Sequence, residues 1–432
     1  MTDGSGPARA EVFAYVGLEV GRDTLRGRYS LDGRHFEESV AFEGTGRLDR
    51  PDVVAVAELW YLLAGLSYYK AGAARRIDLA ATPVGEAGRR LVAAALLDGL
   101  GEFAYVNGLS LAEVPLVGGS PAPRVAPALD PGGVLVPFGG GIDSVVTVEH
   151  LSRDLDRALF VVSPAAGRFA PLEATAAATG LEVVRATRTL DPQLRSDPSL
   201  WRGHVPVTAM VTLLAAVAAL ATGRGGVAMS NEHSASSPNL VADGRPVNHQ
   251  WSKSLAAEEL VAAALAERVG TALTVASVLR DRSEVWVARE FSRLERYLPV
   301  FRSCNRAFAQ RPEDRAVGWC GQCDKCLFVS LVLSPFVERE RLRALLGVEP
   351  LADPAREGQL RTLVGLGATP KPFECVGDPD ESAAAALETA SLPEWAGAQP
   401  LAAVARECRP ARSLLELLEP QGGSRVPAHW LR

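Results

Sequence analysis

The spacing of apolar and polar positions changes several times along the chain, and each change marks an expected boundary. Residues 12–20, 24–31 and 36–42 are short extended runs separated by Gly-Arg-Asp and Asp-Gly-Arg turn signals, which predicts a small meander. Residues 52–71 (DVVAVAELWYLLAGLSYYKA) and 86–106 (EAGRRLVAAALLDGLGEFAYV) carry apolar groups at helical spacing, with Trp60, Tyr61, Tyr68 and Tyr69 reading as packing groups. Residues 118–133 (GGSPAPRVAPALDPGG) then concentrate proline and glycine, the composition of an interdomain linker.

Beyond the linker, short and nearly all-apolar strands alternate with helices. Strands are expected at 134–138, 158–163, 181–187 and 226–231, and helices at 143–153, 171–179, 205–221 and 283–297. Strands apolar on both faces and joined by crossover helices make a parallel sheet, with ligands at the carboxyl ends of the strands. The stretches RLRALLGV, LRTLVGLG, LAAVAREC and RSLLELLEP predict a mostly helical tail. The expected division is an N-terminal α+β domain over 1–120, a linker over 121–133, an α/β domain over 134–335 and a helical region over 336–432.

A chain of 432 residues exceeds the roughly 250–300 over which a single core keeps growing, in keeping with several domains. The net charge of −6 and the lack of a long Lys/Arg run speak against nucleic acid as a partner. No segment approaches the roughly 18 uninterrupted apolar residues of a membrane span. The opening MTDGSGPARAEVF has no basic region followed by an apolar run, so the expected compartment is the cytoplasm. Of six cysteines, Cys304, Cys320, Cys323 and Cys326 crowd into 23 positions, while Cys375 and Cys408 stand alone. That spacing suits a tetrahedral zinc site, and the Gly after Cys320 permits the turn that aims two sulfurs at one point; the alternative is a set of buried reduced thiols.

The expected strand at 134–138 runs into Gly139, Gly140, Gly141, Ile142, Asp143 and Ser144 and then a helix, so backbone N–H groups and a helix N-terminus converge where an anion would sit. A Walker loop requires a Lys before the Ser, and Ile142-Asp143-Ser144 has none. A dinucleotide fingerprint requires an acid about 20 residues on, which ALFVVSPAAG does not offer. The PP-loop, S-G-G-x-D-S, which grips the pyrophosphate of ATP, agrees at every position but Gly139. Asp143 suits a helix N-cap that also orients Mg²⁺ through water, and Ser144 a phosphate donor; the plain alternative is a turn that needs glycine only for its dihedral angles.

Between the strand at 226–231 and the next helix lie about 20 residues without periodicity, too long for an idle connection. They hold Asn231, Glu232, His233, Asn239, Asn248, His249, Gln250 and Lys253, and with His204 they fall at the ligand-binding end of the sheet. The alternative is a solvated loop with Ser252 or Ser254 capping the helix that follows.

With PFGGGIDS, SNEHSASSPNL, VNHQWSKS, WCGQCDKC and KPFECVG in this order, the chain resembles the UDP-N-acetylmuramoyl-L-alanyl-L-glutamate epimerases of peptidoglycan synthesis. That family's variant PP-loop also begins with glycine. The resemblance implies an adenine-nucleotide-hydrolase-like α/β fold and an ATP- and Mg²⁺-dependent isomerase of cell wall biogenesis. Its small-molecule substrate would be a UDP-muramoyl dipeptide, whose terminal L-glutamate becomes D-glutamate through an acyl-adenylate with release of AMP and pyrophosphate. Adenylation cancels the carboxylate charge and so permits loss of the α-proton. Under this resemblance Gly139 to Ser144 hold the phosphates, Asp143 sits near Mg²⁺, and Lys253 steadies the leaving pyrophosphate. Asn231, Glu232 and Asn248 orient substrate, and His249 transfers the proton, with Lys253 or Cys304 as rivals. If Cys304 were the base, zinc would keep only three cysteine ligands. A zinc-bearing PP-loop synthase acting on another small carboxylate or nucleobase, and an ATP-binding sensor without turnover, are the competing functions.

Overall fold

The computed structural model describes residues 7–309 and 311–432; the first six residues, on which the reading of the N-terminus partly rests, lie outside it. The meander forms where the sequence places it, as β1 (Val12–Val20), β2 (Thr24–Leu31) and β3 (Arg34–Glu43). Two short strands follow, β4 (Arg76–Asp78) and β5 (Leu116–Val117). Next come β6 (Asp130–Pro137), β7 (Asp156–Pro164), β8 (Glu182–Thr189) and β9 (Arg224–Met229). A small hairpin, β10 (Leu240–Ala242) and β11 (Arg245–Val247), precedes β12 (Thr274–Ser277).

All but the hairpin join one ten-stranded sheet, ordered β12-β9-β6-β7-β8-β3-β2-β1-β4-β5. Pairing is parallel except at β8–β3, β3–β2 and β2–β1, so the protein is α/β with a mostly parallel sheet. The meander and the α/β region are therefore continuous through the β3–β8 pairing, in which Ser39 faces Thr189 and Glu43 faces Arg185. At that seam the fully buried Glu38 grips the Arg188 guanidinium with both oxygens, at 2.6 and 3.2 Å.

Helices cover both faces. On one, Pro51–Ala64, Val207–Thr222 and Leu255–Val269 pack against Leu135, Phe160, Val184 and Val227. On the other, Ile142–His150, Glu284–Ser292 and Asp324–Leu333 pack against Val134, Val136, Leu159 and Val161. Alternate residues of each strand thus feed opposite cores, which is why the central strands read as continuous apolar runs. Val207–Thr222 is apolar all round because it is buried all round, without a break from Thr212 to Ala221. Trp60, Tyr61, Tyr68 and Tyr69 are buried core groups, as expected.

Two expected helices are interrupted. Residues 52–71 divide into Pro51–Ala64 and Leu66–Gly72 at Gly65, where the Tyr15 ring occupies the space of a side chain, 2.7 Å from a built Cβ. Residues 86–106 divide into Glu86–Ala94, a π-helical turn at Ala95–Gly99, and Gly101–Val106. The proline-rich stretch is irregular over residues 121–129 but pinned, since the Val125 N–H donates to Arg268 O at 2.8 Å and the Arg124 guanidinium to Ala266 O at 3.0 Å; residues 130–133 already belong to β6. The C-terminal region is helical, with Arg339–Leu346, Glu357–Leu363, Pro379–Ser391 and Gln399–Glu407. Among the described residues no helix is long and apolar enough to cross a membrane.

Candidate active site

Strands β6, β7 and β8 step one way across the sheet, while β9 and β12 step the other, so the order reverses between β6 and β9. A crevice at such a reversal is where open α/β sheets bind ligands. The glycine turn follows β6 and the long polar loop follows β9, and both line one cleft of about 410 Å³. A second cavity of about 600 Å³ adjoins it through Val162, Val207 and Val211, leaving room for a ligand longer than a nucleotide.

In the turn, Gly140 has φ +75°, and a Cβ there would lie 3.2 Å from Leu172 Cα, so the position requires glycine twice over. A Cβ on Gly141 would come within 2.9 Å of Ser303 Oγ, while Gly139 faces open space. Gly141 is the N-cap of the helix Ile142–His150, and Asp143 lies in its first turn; the expected N-cap at Asp143 is thus two residues late. The Ser144 hydroxyl donates to Gly141 O at 3.1 Å.

Polar groups around this turn are short of partners. Asp143 Oδ1 and both carboxylate oxygens of Glu232 are sealed from solvent without a hydrogen bond. Burial, then the neighbouring Glu232 charge, raises the Asp143 pKa, against the opposing pull of Lys325 and Lys253. Burial likewise raises Glu284 well above the carboxylate range, with Asp143 and Glu232 adding to it. For Lys253, burial works against the ammonium, but Cys375, Glu232, Asp143 and Glu284 outweigh it and raise the pKa. Buried carboxylate oxygens left unpaired cost several kcal/mol, of order 1–3 each, unless a cation or donor arrives. A divalent cation between Asp143 and Glu232, and an anion against the turn with Lys253 and Lys325, fit this donor set.

The polar loop is scaffolded by its own amides. Asn248 Nδ2 donates to Ala235 O at 2.9 Å and its Oδ1 accepts from Gln250 N at 2.8 Å. Asn248 is thus spent on the loop and faces another cavity, beside His233, rather than the glycine turn. Asn231 lines the cleft and donates to Ser277 Oγ at 3.0 Å. Arg280, buried and paired with Glu258 at 2.8 Å, donates to Glu232 O at 3.0 Å and Lys253 O at 2.7 Å, fixing the backbone of the cleft residue Lys253 and of Glu232, the neighbour of the cleft residue Asn231. Ser254 caps the next helix by accepting from Ala257 N at 3.2 Å, as the sequence allows.

His249 is brought together with His204, which the sequence places at the same end of the sheet, and with Glu102 and Cys375, to which sequence reasoning gave no role. Its Nδ1 lies 2.5 Å from Glu102 Oε2, His204 Nδ1 lies 3.9 Å from the same oxygen, and the Cys375 thiol is within hydrogen-bonding reach. Burial opposes the charged imidazole, yet Cys375 and Glu102 outweigh it and hold the pKa up at about 9. For Cys375, burial opposes ionisation, but Lys253, His249 and Lys325 bring the thiol down to about 6. Burial and the adjoining His249 push His204 down to about 4. The ligand atoms of Glu102, His204 and His249 lie within 4.8 Å of one another, and of the two imidazoles only His249 is within hydrogen-bonding distance of the Glu102 carboxylate.

The four clustered cysteines converge, with all Sγ atoms within 4.8 Å and Cys320 Sγ 3.8 Å from Cys326 Sγ. Zinc–sulfur bonds of about 2.3 Å set tetrahedral sulfurs about 3.8 Å apart, so the group fits that ion. The Gln322 and Cys323 N–H groups each donate to Cys320 Sγ at 3.4 Å, and Gly321 has φ +65°. This knuckle is also a wall of the cleft, because Arg302 and Ser303 beside Cys304, and Lys325 beside Cys326, line it. Hydrogen bonds from Cys323 and Cys326 depress Cys304, which places it among the sulfurs rather than at the proton-transfer site.

Residues 5–278 match the family profile described as MurL N-terminal domain, and residues 300–416 the one described as MurL C-terminal domain. A protein of Salinispora tropica is 43% identical over 339 residues, covering 76% of this chain and 72% of that one. One of Micromonospora sp. is 43% identical over 350 residues, covering 79% and 76%, and one of Xanthomonas oryzae pv. oryzae 37% over 383, covering 85% and 82%. Each of the three bears the name UDP-N-acetyl-alpha-D-muramoyl-L-alanyl-L-glutamate epimerase. No solved structure matches the chain.

Proposed function

Because the chain belongs to the MurL family, whose named relatives are UDP-muramoyl dipeptide epimerases, we propose that it inverts the terminal L-glutamate of UDP-N-acetylmuramoyl-L-alanyl-L-glutamate for peptidoglycan synthesis. The route is activation of the glutamate carboxylate by ATP as an acyl-adenylate, inversion at the α-carbon, and hydrolysis to the D-glutamyl product, AMP and pyrophosphate. The observation that carries this reading is the set of buried, unpartnered oxygens of Asp143 and Glu232 beside the Gly139–Ser144 turn and two lysines.

Gly140 and Gly141 let the phosphates approach the backbone, and the N–H groups of the helix that follows meet their charge. Asp143 and Glu232 would hold Mg²⁺, which would supply neutralisation of charge on the phosphates. Lys253, whose ammonium is held by the surrounding acids, stabilises the leaving pyrophosphate together with Lys325. Asn231 orients the substrate. His249, an imidazole in a relay, serves proton transfer at the α-carbon. The four cysteines would hold a structural Zn²⁺, which would fix the cleft wall that carries Arg302, Ser303 and Lys325.

The test is incubation with ATP, Mg²⁺ and the L-glutamyl substrate in deuterated water. Expected products are AMP, pyrophosphate and D-glutamate carrying solvent deuterium at the α-carbon. Inversion without nucleotide cleavage would overturn the adenylation route, and nucleotide binding without inversion would leave a sensor.

A further inference from the structure

Glu102, His249 and Cys375 come from three distant parts of the chain: the short helix Gly101–Val106, the polar loop after β9, and the segment before Pro379–Ser391. Their order in space is carboxylate, imidazole, thiol. The segment bearing the thiol is fastened to the polar loop. Asn239 Nδ2 donates to Pro372 O at 2.7 Å and Gln250 Nε2 to Val376 O at 3.0 Å, and Asn305 Nδ2 donates to the Glu374 carboxylate. The same loop residue that leads into the relay, Gln250, accepts from Lys253 Nζ at 3.4 Å, and Lys253 lines the nucleotide cleft. Cys375 is half-buried, and its thiol is the direct electrostatic neighbour of Lys253, which places it just behind the cleft wall. Nothing in the adenylation chemistry requires a thiol here, whereas carbon deprotonation calls for a base that is ionised at the working pH and close to the activated carbonyl.

We infer that Cys375 is the catalytic group that takes the glutamate α-proton, held against His249 and Glu102. This rests on the acyl-adenylate reading above. The thiolate accepts the proton: an S–H bond forms, the Cα–H bond breaks, and its electron pair moves into the adenylated carbonyl as an enolate. The opposite face of that enolate takes a proton drawn from water, restoring a Cα–H bond with inverted configuration. The thiol then gives its proton to water, so no net proton is consumed. His249 stays protonated throughout as the counter-charge to sulfur, and Glu102 keeps it so. His249 is on this account a positioning residue for the thiolate, not the base itself, which refines the role assigned from sequence.

Two measurements on the full-length protein test this. In the first, Cys375→Ala and Cys375→Ser are assayed for substrate-dependent exchange of labelled pyrophosphate into ATP and for deuterium entry at the α-carbon. Expected is exchange within about tenfold of wild type with inversion lowered roughly 10²–10⁴-fold, the loss typical of a missing general base. Inversion by Cys375→Ser within about tenfold of wild type overturns the inference, as does parallel loss of exchange and inversion in a folded variant. Absence of exchange in the wild type would instead sink the adenylation reading, and so is distinguishable. In the second, iodoacetamide modification of wild-type Cys375 is followed by peptide mapping against pH. A midpoint near 6 that rises in Glu102→Gln supports the thiolate relay, whereas an ordinary midpoint of about 8.5 overturns it.

Discussion

Two titrating groups of opposite requirement share one hydrogen-bonded relay at the residue scale. Cys375 must be ionised, so inversion rises as pH climbs through about 6; His249 must be charged, so it falls as pH passes about 9. A pH profile of kcat/KM for α-deuterium exchange should therefore be bell-shaped with these limbs. Glu102→Gln removes one contribution that holds the imidazolium, and should bring the alkaline limb down. Asp143→Ala should lower pyrophosphate exchange roughly 10²–10³-fold, the scale of losing one preorganised charge at a reacting centre. Glu232, His249 and Lys253 drew attention because they sit in a stretch too polar and too long to be idle, and Asp143 because it closes the glycine turn. Glu102 did not, since within a helical pattern one acid looks like any other. The signal at hand was Asp98-Gly99-Leu100-Gly101, two glycines in a helical run, where the structure has its π-turn. Cys375 stood apart from the metal-like spacing and so suggested no partner; of the groups that activate it, Lys253 and His249 come from a loop more than 100 residues away and Lys325 from the helix Asp324–Leu333.

Elements decide whether those residues meet. The strand-to-helix turn after β6 works only with Gly140 in the left-handed region, and alanine there would add about 1–2 kcal/mol of backbone strain as well as pressing on Leu172. Gly140→Ala should weaken ATP binding roughly tenfold, measurable by titration calorimetry. The cysteine knuckle is an element of the same kind. If the knuckle holds zinc as proposed, a chelator, or Cys323→Ser, should loosen the wall bearing Arg302, Ser303 and Lys325 and lower pyrophosphate exchange together with metal content. Central strands β6 to β9 were readable from their apolar runs. β12, only Thr274–Ser277, was not, because four residues carry no period. Helix interruptions escaped for a related reason: Gly65 yields to the Tyr15 ring, a contact made across the fold.

For the whole molecule, the decisive contact is the β3–β8 seam. Turn signals and alternation show that a meander exists, but an edge strand's alternation does not say which other strand completes it. The buried Glu38–Arg188 pair makes this seam specific. Glu38→Ala would strand the guanidinium and should cost about 3–5 kcal/mol, read as a lower denaturation midpoint in urea. The sheet's continuity also explains why the expected linker behaves as packed chain rather than tether: its two flanks, β5 and β6, are strands of one sheet.

The three-part origin of the relay has a consequence for the chain while it is being made. Until residue 375 has left the ribosome and the helix carrying Glu102 has docked, the sulfur has neither its imidazolium nor its lysines, and is an ordinary, mostly protonated thiol. Alkylation at mildly acid pH would mark finished molecules and pass over partial ones, so a single atom reports how much of a population has completed its assembly.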